Sequence, residues 1–347
     1  MITTSAAGRT WHYSHALGRD TAEHNGNVGG FGNPFDLAVS SDNSIFVLSR
    51  GFGNNTPGYY GDIGRRIGKM TIDELHIGDF ARNEFVWPVG IAISSDDKVY
   101  VSDEHQNLIL VYPSEDTYPS FEFKEGGESI GRWGKRGSGA GQFNGPAGIA
   151  FDSKDNLFVV DKGNHRVQKY SKEGEFLLEW GSQGNGEGQF EEPWGVHVDQ
   201  DGDVYVADWG NSRVQKFSPD GTHLLTFGSD EGGELDHPAC VAVDSDGDVY
   251  VTDWGNGRVQ VYEQNGDVIT ALYGDAHKYS KAAEYYLNRD PASIKTINTV
   301  DHAFAHTVRF ERPVGIAVYP GNRIIITDSR GRLLVYDKDA DYVIPNI

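Results

Sequence analysis

One block of sequence recurs three times in the middle of the chain. The copies are Gly141–Gly181, Gly188–Gly228 and His237–Gly274. Each copy contains four short runs in which apolar and polar residues alternate, separated by turn residues such as Asp-Gly. Alternation at period two over runs of this length predicts β-strands joined by tight turns. In the middle copy the predicted strands are Gly195–Asp199, Val204–Asp208, Val214–Ser218 and His223–Gly228.

These strands carry Val, Tyr, Phe and Trp on both faces, so each four-stranded sheet must be covered on both sides. A ring of such sheets around an axis meets that need, which predicts a β-propeller. A proline opens the first strand of each unit, and successive prolines are 54, 58, 47, 45 and 75 residues apart. Six prolines predict six blades: Pro34, Pro88, Pro146, Pro193, Pro238 and Pro313.

The last blade is short of one strand, because only three good strands follow Pro313. The segment Thr10–Gly18 resembles the other outer strands and is predicted to be the fourth. The N-terminus would then close the ring and leave no open sheet edge. We therefore predict an all-β, six-bladed propeller of four-stranded antiparallel blades, with residues 1–347 in a single domain.

Three segments exceed the minimal unit. Residues 51–69 and 275–312 are both predicted to lie over one rim of the channel, and Ser114–Glu128 over the opposite rim. Within the second insert, Ala276–Arg289 is predicted to be helical, because Asp275 can cap it and Pro291 follows its end. Two long inserts over one channel mouth favour a lid; a partner-binding loop and a disordered loop are the alternatives.

The composition limits the partners. The net charge is −21, from 51 acidic and 30 basic residues, which disfavours binding to phosphate backbones and hence to nucleic acid. Cys240 is the only cysteine, so an internal disulfide cannot form. No apolar stretch suits a signal peptide or a membrane span, which predicts a cytoplasmic protein that does not bind membranes.

The pattern GQF…P-x-G-I-A-V-D…VYVAD-x-GN-x-RVQKF resembles the NHL repeat family. Residues Gly141–Gly274 match it closely, and the first, second and sixth blades match it loosely. The resemblance implies a six-bladed propeller. It says little about function, because the family includes both scaffolds and enzymes.

One enzymatic branch of that family is the peptidyl-hydroxyglycine amidating lyase. Its catalytic arginine lies in an Arg-Gly pair after a second strand, and Ser49-Arg50-Gly51 is similar. That lyase holds zinc with histidines placed directly after the strand-opening prolines. None of the corresponding residues here is a metal ligand, so the amidating reaction itself is not expected. They are Phe35, Val89, Ala147, Trp194, Ala239 and Val314.

The residues that follow the second strands, together with those that precede the prolines, are predicted to gather at one channel mouth. They mix cations, aromatic rings, carboxylates and imidazoles, which suits a small polar ligand. The cations Arg50, Lys162 and Arg330 indicate an anionic group such as a carboxylate; the alternative is a solvated rim. The other predicted binding residues are Trp209, Trp254, His105, Tyr59 and Tyr60.

Four residues are candidates for catalysis. Arg50 could bind or polarise an oxyanion, and His237, beside Pro238, could serve as a general base. His197 stands where the other five blades have alanine, and is either a site residue or a buried, hydrogen-bonded histidine. Asp36 stands where four blades have glycine; it either directs a carboxylate into the channel or accepts hydrogen bonds from backbone N–H groups.

Metal binding has weaker candidates. His302 and His306 have the i, i+4 spacing of two ligands on one helix face, so a divalent metal is a candidate cofactor, although no third ligand is evident. Asp199–Asp203 and Asp244–Asp248 resemble the start of a calcium loop. Both lack its final glutamate and occupy a hairpin position, which favours turn chemistry.

Two functions remain open at this point. The first is an enzyme with lyase or hydrolase chemistry that acts on a small polar metabolite at the channel mouth. The second is a non-catalytic scaffold whose rim docks a protein partner. A closed pocket that buries Arg50 would favour the enzyme, and an open, flat, apolar rim would favour the scaffold.

Overall fold

The strands of the chain follow the repeat. This computed structural model describes residues 3–18, 31, 33–51, 65–81, 84–113, 128–229, 232–276, 280, 309–329 and 331–339. In chain order, the strands formed by these residues are β1 (Thr3–Ala6), β2 (Arg9–Gly18), β3 (Pro34–Val39), β4 (Ile45–Arg50), β5 (Arg65–Met70), β6 (His76–Phe80), β7 (Pro88–Ile93), β8 (Val99–Asp103), β9 (Leu108–Tyr112), β10 (Gly131–Trp133), β11 (Pro146–Phe151), β12 (Asn156–Asp161), β13 (Arg166–Ser171), β14 (Phe176–Trp180), β15 (Val196–Val198), β16 (Val204–Asp208), β17 (Arg213–Phe217), β18 (His223–Phe227), β19 (Pro238–Val243), β20 (Val249–Asp253), β21 (Arg258–Tyr262), β22 (Val268–Leu272), β23 (Pro313–Tyr319), β24 (Arg323–Asp328) and β25 (Arg332–Asp339).

The strands form six antiparallel sheets arranged as a closed ring. Blade 1 is β3–β6, blade 2 is β7–β10, blade 3 is β11–β14, blade 4 is β15–β18 and blade 5 is β19–β22. The first strands of successive blades contact one another, and β23 of blade 6 contacts β3 of blade 1. The six-bladed propeller is therefore confirmed.

Blade 6 joins the two ends of the chain. Strand β2 pairs antiparallel with β25 from Thr10↔Asp339 to Gly18↔Arg332, which confirms the predicted closure by the N-terminus. Strand β1 then pairs with β2 and adds a fifth strand that the sequence did not predict. It covers the outer edge of this blade.

Helix is almost absent from the described residues. Two three-residue 3-10 turns, Lys162–Asn164 and Trp209–Asn211, follow the second strands of blades 3 and 4. The predicted helix at 276–289 is not supported: its described residues, Ala276 and Ser280, are not helical, and the rest lies outside the described residues. The two predicted lid segments and Ser114–Glu128 are likewise largely outside them.

In blades 2 to 6, which we call the regular blades, a buried aspartate at the end of the second strand bonds to neighbouring groups. In blade 4, the Asp208 carboxylate accepts hydrogen bonds from Arg213 Nε at 2.8 Å and from the backbone N–H of Glu191 at 2.8 Å. Equivalent aspartates in blades 2, 3, 5 and 6 are also fully buried, and in blades 3, 5 and 6 each pairs with an arginine of the third strand. They are Asp103, Asp161, Asp253 and Asp328.

Hydroxyl side chains connect neighbouring blades near the axis. Thr252 accepts a hydrogen bond from Cys240 N within blade 5 and donates one to Val314 O of blade 6, at 2.8 and 2.7 Å. Ser102 and Thr327 form the same links from blade 2 and blade 6. These bonds satisfy backbone groups of the inner strands that would otherwise be buried unpaired.

Candidate functional site

Apolar side chains meet across the ring near one end of the channel. The residues that follow the strand-opening prolines pack into a single cluster, and Trp194 of blade 4 reaches Phe35 of the opposite blade 1, with ring centroids 5.9 Å apart. We call this cluster the plug; its members are Phe35, Val89, Ala147, Trp194, Ala239 and Val314. The end of the channel where the second strands finish is called the mouth.

Arg50 lies at the mouth on blade 1. Its guanidinium stacks on the Phe35 ring at 3.3 Å and lies 4.9 Å from the Trp87 ring, while Nε donates to Pro88 O at 2.6 Å. Only 9% of the side chain is exposed, and Nη2 makes no hydrogen bond. Burial lowers the pKa of Arg50 to about 9, although the carboxylates of Glu104 and Asp103 oppose that shift. The guanidinium therefore remains a cation at neutral pH.

Lys162 and Glu104 continue the mouth on blades 3 and 2. The Lys162 ammonium lies 3.6 Å from Glu104 Oε1 and 3.9 Å from Glu192 Oε2, and it faces the Trp194 ring at 4.7 Å. Glu104 Oε2 is also 3.9 Å from Arg50 Nη2. Two of the three predicted cations, Arg50 and Lys162, are therefore brought together with a carboxylate between them.

A row of aromatic rings crosses the mouth from blade 4 to blade 5. Trp209 lies 4.8 Å from Trp194, 5.1 Å from Trp254 and 4.9 Å from the His237 ring, measured between centroids. The guanidinium of Arg312 covers Trp254 at 4.6 Å. Such half-buried rings can desolvate and stack a flat ligand.

His237 forms a pair with the residue before it. Its Nδ1 lies 2.5 Å from Asp236 Oδ1, which leaves Nε2 on the opposite side of the ring. The backbone of His237 has a φ of 55°, an unusual value for a residue that precedes proline. Its side chain is 45% exposed, so the imidazole is accessible from the mouth. A carboxylate on Nδ1 fixes the tautomer and the orientation of the ring.

Asp36 lies in the inner strand of blade 1. Its carboxylate accepts hydrogen bonds from Leu37 N at 2.9 Å and from Ile91 N of blade 2 at 3.0 Å. Desolvation by burial raises its pKa to about 7, against the lowering effect of these two bonds. Leu48 replaces the hydroxyl that links other blades, and Asp36 makes the link to blade 2 instead. The acceptor role considered from the sequence is thus present.

The remaining predicted residues are more scattered. Burial lowers the pKa of His197, on β15 of blade 4, to about 4, so the imidazole is neutral at physiological pH. The His105 side chain is exposed, and the backbone N–H of His105 donates a hydrogen bond to Asp103 Oδ1 at 3.1 Å. Five others lie outside the described residues: Arg330, Tyr59, Tyr60, His302 and His306.

The acidic hairpins hold lysine ammonium groups. Lys338 Nζ lies 2.6, 2.8 and 2.8 Å from carboxylate oxygens of Asp244, Asp246 and Asp248, and Lys216 Nζ lies 2.8 Å from Asp203. The first aspartate of each hairpin accepts backbone N–H bonds within its own turn. This arrangement agrees with turn chemistry. In the described part of the chain, no three His, Cys, Asp or Glu side chains are placed to hold a metal ion.

A cavity of about 530 Å³ lies at the opposite end of blades 4 and 5. Its charged lining residues pair with one another or with neighbouring charged side chains, as in Arg9 Nε to Asp248 Oδ2 at 2.9 Å and Lys216 Nζ to Asp203 Oδ2 at 2.8 Å. At the mouth, cations and aromatic rings predicted from the sequence come together, and the buried Arg50 side chain keeps Nη2 without a hydrogen bond. We therefore place the candidate site at the mouth.

Sequence reasoning missed some members of the mouth. Trp194 and Phe35 were considered only as positions without metal ligands, yet their rings form its floor. Their bulk was the available signal, because the four equivalent residues are Ala or Val. The contact between Asp236 and His237 depends on side-chain directions, which the sequence does not give.

Comparison with known proteins supports the fold. The NHL repeat model matches residues 143–170, 190–217 and 235–262. No curated protein matches the chain in sequence. Among the described chain segments, no helix is both long and apolar enough to cross a bilayer.

Several solved structures are similar at low sequence identity. A catalytically inactive virginiamycin B lyase from Staphylococcus aureus, solved with quinupristin, is 14% identical with a TM-score of 0.54, over 96% of this chain and 93% of that one. A streptogramin B lyase is 12% identical with a TM-score of 0.54, over 97% and 100%. A protein of unknown function from Bacteroides thetaiotaomicron is 16% identical with a TM-score of 0.64, over 95% and 76%. At these identities the likeness is one of fold.

Proposed function

Since this chain is a six-bladed propeller that contains three NHL repeats, we propose that its mouth is the active site of a lyase for a small carboxylate-bearing metabolite. The observation that carries the proposal is Arg50, a cation held nine-tenths buried between aromatic rings with Nη2 lacking a hydrogen bond. A buried donor without a hydrogen bond is costly, and a bound anion would satisfy it. The fold shared with two lyases supports the choice of reaction class.

In this proposal Arg50 binds the substrate carboxylate, and the rings of Trp194 and Trp209 pack against its apolar part. A charge-assisted bond to a guanidinium is strong where water is excluded. This bond fixes one end of the substrate at blade 1. The substrate must extend from blade 1 towards blade 5, where His237 lies.

His237 acts as the base. With Nδ1 bonded to Asp236, Nε2 takes a proton from a carbon at the blade 5 end of the substrate, next to a carbonyl group. The electron pair of that C–H bond forms a carbon–carbon double bond, and the leaving group departs with its own bonding pair. The Asp236 carboxylate stabilises the resulting imidazolium. A hydrolase would use the same base on a water molecule, and any divalent metal remains a prediction.

A protein-docking scaffold is the second candidate. It is favoured by apolar exposure on the rim beside the site, where Trp87 is 48% and Val86 38% exposed. A docked protein partner would cover these residues, and the scaffold function would need no small-molecule ligand. The two candidates therefore differ in what Arg50→Gln should disturb.

The test is to incubate the protein with a library of small carboxylates and conjugates and to follow new double bonds by ultraviolet absorbance and mass spectrometry. Arg50→Gln and His237→Gln should each lower turnover about a hundredfold or more. Arg323→Gln is the control, because Arg323 forms a partly exposed ion pair with Asp337 at the other end of the ring. Turnover that survives both mouth substitutions would rule out this site, and binding of a protein through Trp87 without turnover would favour the scaffold.

A further inference from the structure

Glu104 stands between two cations of the mouth. The residues at equivalent positions where the second strands of blades 1, 2 and 3 finish are Arg50, Glu104 and Lys162, so charges of alternating sign stand side by side. One carboxylate oxygen of Glu104 faces each neighbour, Oε2 towards Arg50 at 3.9 Å and Oε1 towards Lys162 at 3.6 Å. Both separations exceed hydrogen-bond length, so the carboxylate is attracted to the two cations without being bonded to either.

The donors around this carboxylate are not satisfied by it. Arg50 Nη2 is buried and makes no hydrogen bond, although Nε of the same side chain donates to Pro88 O at 2.6 Å. The Arg50 side chain is also fixed by its stack on Phe35, so it cannot move freely towards Glu104. A planar anion that approaches from the mouth could make the bond that Glu104 does not make.

We propose that Glu104 occupies the anion position of the free protein and is displaced by the carboxylate of the ligand, so that Glu104 selects for singly charged, planar anions. This inference rests on the proposed function. After its displacement the Glu104 carboxylate still lies near the mouth, and the Glu192 carboxylate lies 3.9 Å from Lys162. A dianionic phosphate would meet these two carboxylates at close range with twice the charge, and is therefore disfavoured.

The experiment measures binding to the full chain by calorimetry with four probes: phenylacetate, its neutral amide, phenyl phosphate and phenylalanine. Glu104→Gln keeps the shape of the side chain and removes the competing charge. This substitution should raise the affinity for phenylacetate about tenfold and the affinity for phenyl phosphate by more, while the affinity for the amide should not change. Glu192→Gln, which removes a carboxylate from Lys162 but does not contact Arg50, should change phenylacetate binding about twofold or less.

The outcomes separate this inference from the proposed function. If Arg50→Gln weakens phenylacetate while Glu104→Gln fails to tighten it, Arg50 binds the anion and the role given to Glu104 is wrong. If Glu104→Gln weakens the binding of phenylalanine and of no other probe, Glu104 binds an ammonium group and the inference is overturned. If phenylacetate does not bind, or its binding ignores Arg50→Gln, both ideas fail. Thermal unfolding of each variant shows whether the fold is intact.

Discussion

Blade 1 and blade 4 have the same four-strand frame but differ in what fastens it. In blade 4 the buried Asp208 is joined by Arg213, Asn211 and Gln215. In blade 1 the equivalent of Asp208 is Ser49, whose hydroxyl is buried without a hydrogen bond, and the equivalent of Gln215 is Gly68. Blade 1 therefore lacks the buried carboxylate network of the repeat, and other contacts replace that network.

The replacements in blade 1 are specific to it. Arg66, which retains the arginine of the repeat, pairs with Asp79 at 3.1 Å. Asp36 links the blade to Ile91 of blade 2, and Phe35 supports Arg50. The blade that departs furthest from the repeat thus supplies the buried cation of the mouth. Blade 1 thus combines an altered set of fastening contacts with the buried cation of the mouth.

The largest expected difference is between Asp208→Ala and Ser49→Ala. Removing the blade 4 carboxylate leaves Arg213 and several buried donors unpaired, so the free energy of unfolding should fall by about 3–5 kcal/mol. Ser49→Ala removes a hydroxyl that bonds to nothing and should change it by about 0.5 kcal/mol or less. Equilibrium urea unfolding of both variants measures the contrast. Equal losses would mean that blade 1 depends on the repeat position after all.

Asp36→Asn sharpens the comparison through pH. The pKa of Asp36 is about 7 in the folded protein and about 3.8 in the unfolded chain, so the folded state holds this proton more tightly. The wild type should therefore lose stability as the pH rises from about 4 to about 7, by about 1–3 kcal/mol. The asparagine variant lacks this loss, and the difference should level off above pH 7. Urea unfolding at several pH values decides; parallel curves for the two proteins would refute the assignment.

His197→Ala gives blade 4 the residue of the other five blades. The pKa of His197 is about 4 when folded and about 6.5 when unfolded, so the unfolded chain binds the proton first as the pH falls. The wild type should lose about 1–2 kcal/mol between pH 6.5 and 4, and the alanine variant should not. Thermal unfolding at pH 7 and at pH 4.5 provides the measurement. An acid-induced loss that persists in the variant would place its origin elsewhere.

The fold was largely accessible from sequence because its signals are local and repeated. The prolines counted the blades, and alternation placed Val204–Asp208 and Val99–Asp103 at their observed bounds. Even the long-range pairing of Thr10–Gly18 with the last blade followed from a missing strand. Strand β1 was not predicted because its four residues, Thr3–Ala6, show little alternation of apolar and polar residues.

The site was less accessible, because it depends on which side chains meet across the ring. The sequence placed Arg50, Lys162, Trp209, Trp254 and His237 at the mouth, where the structure has them. It could not tell that Lys162 faces carboxylates on two neighbouring blades, or that Arg50 stacks on Phe35, because these contacts depend on side-chain directions. Spacing along one chain carries no such information.

The contact of Phe35 with Trp194 across the ring gives the mouth an apolar floor. In the proposed function, a substrate rests on this floor and its product leaves by the same mouth. Newly made product would then stand in the path of the next substrate, and the rate of turnover would depend on how quickly that product departs.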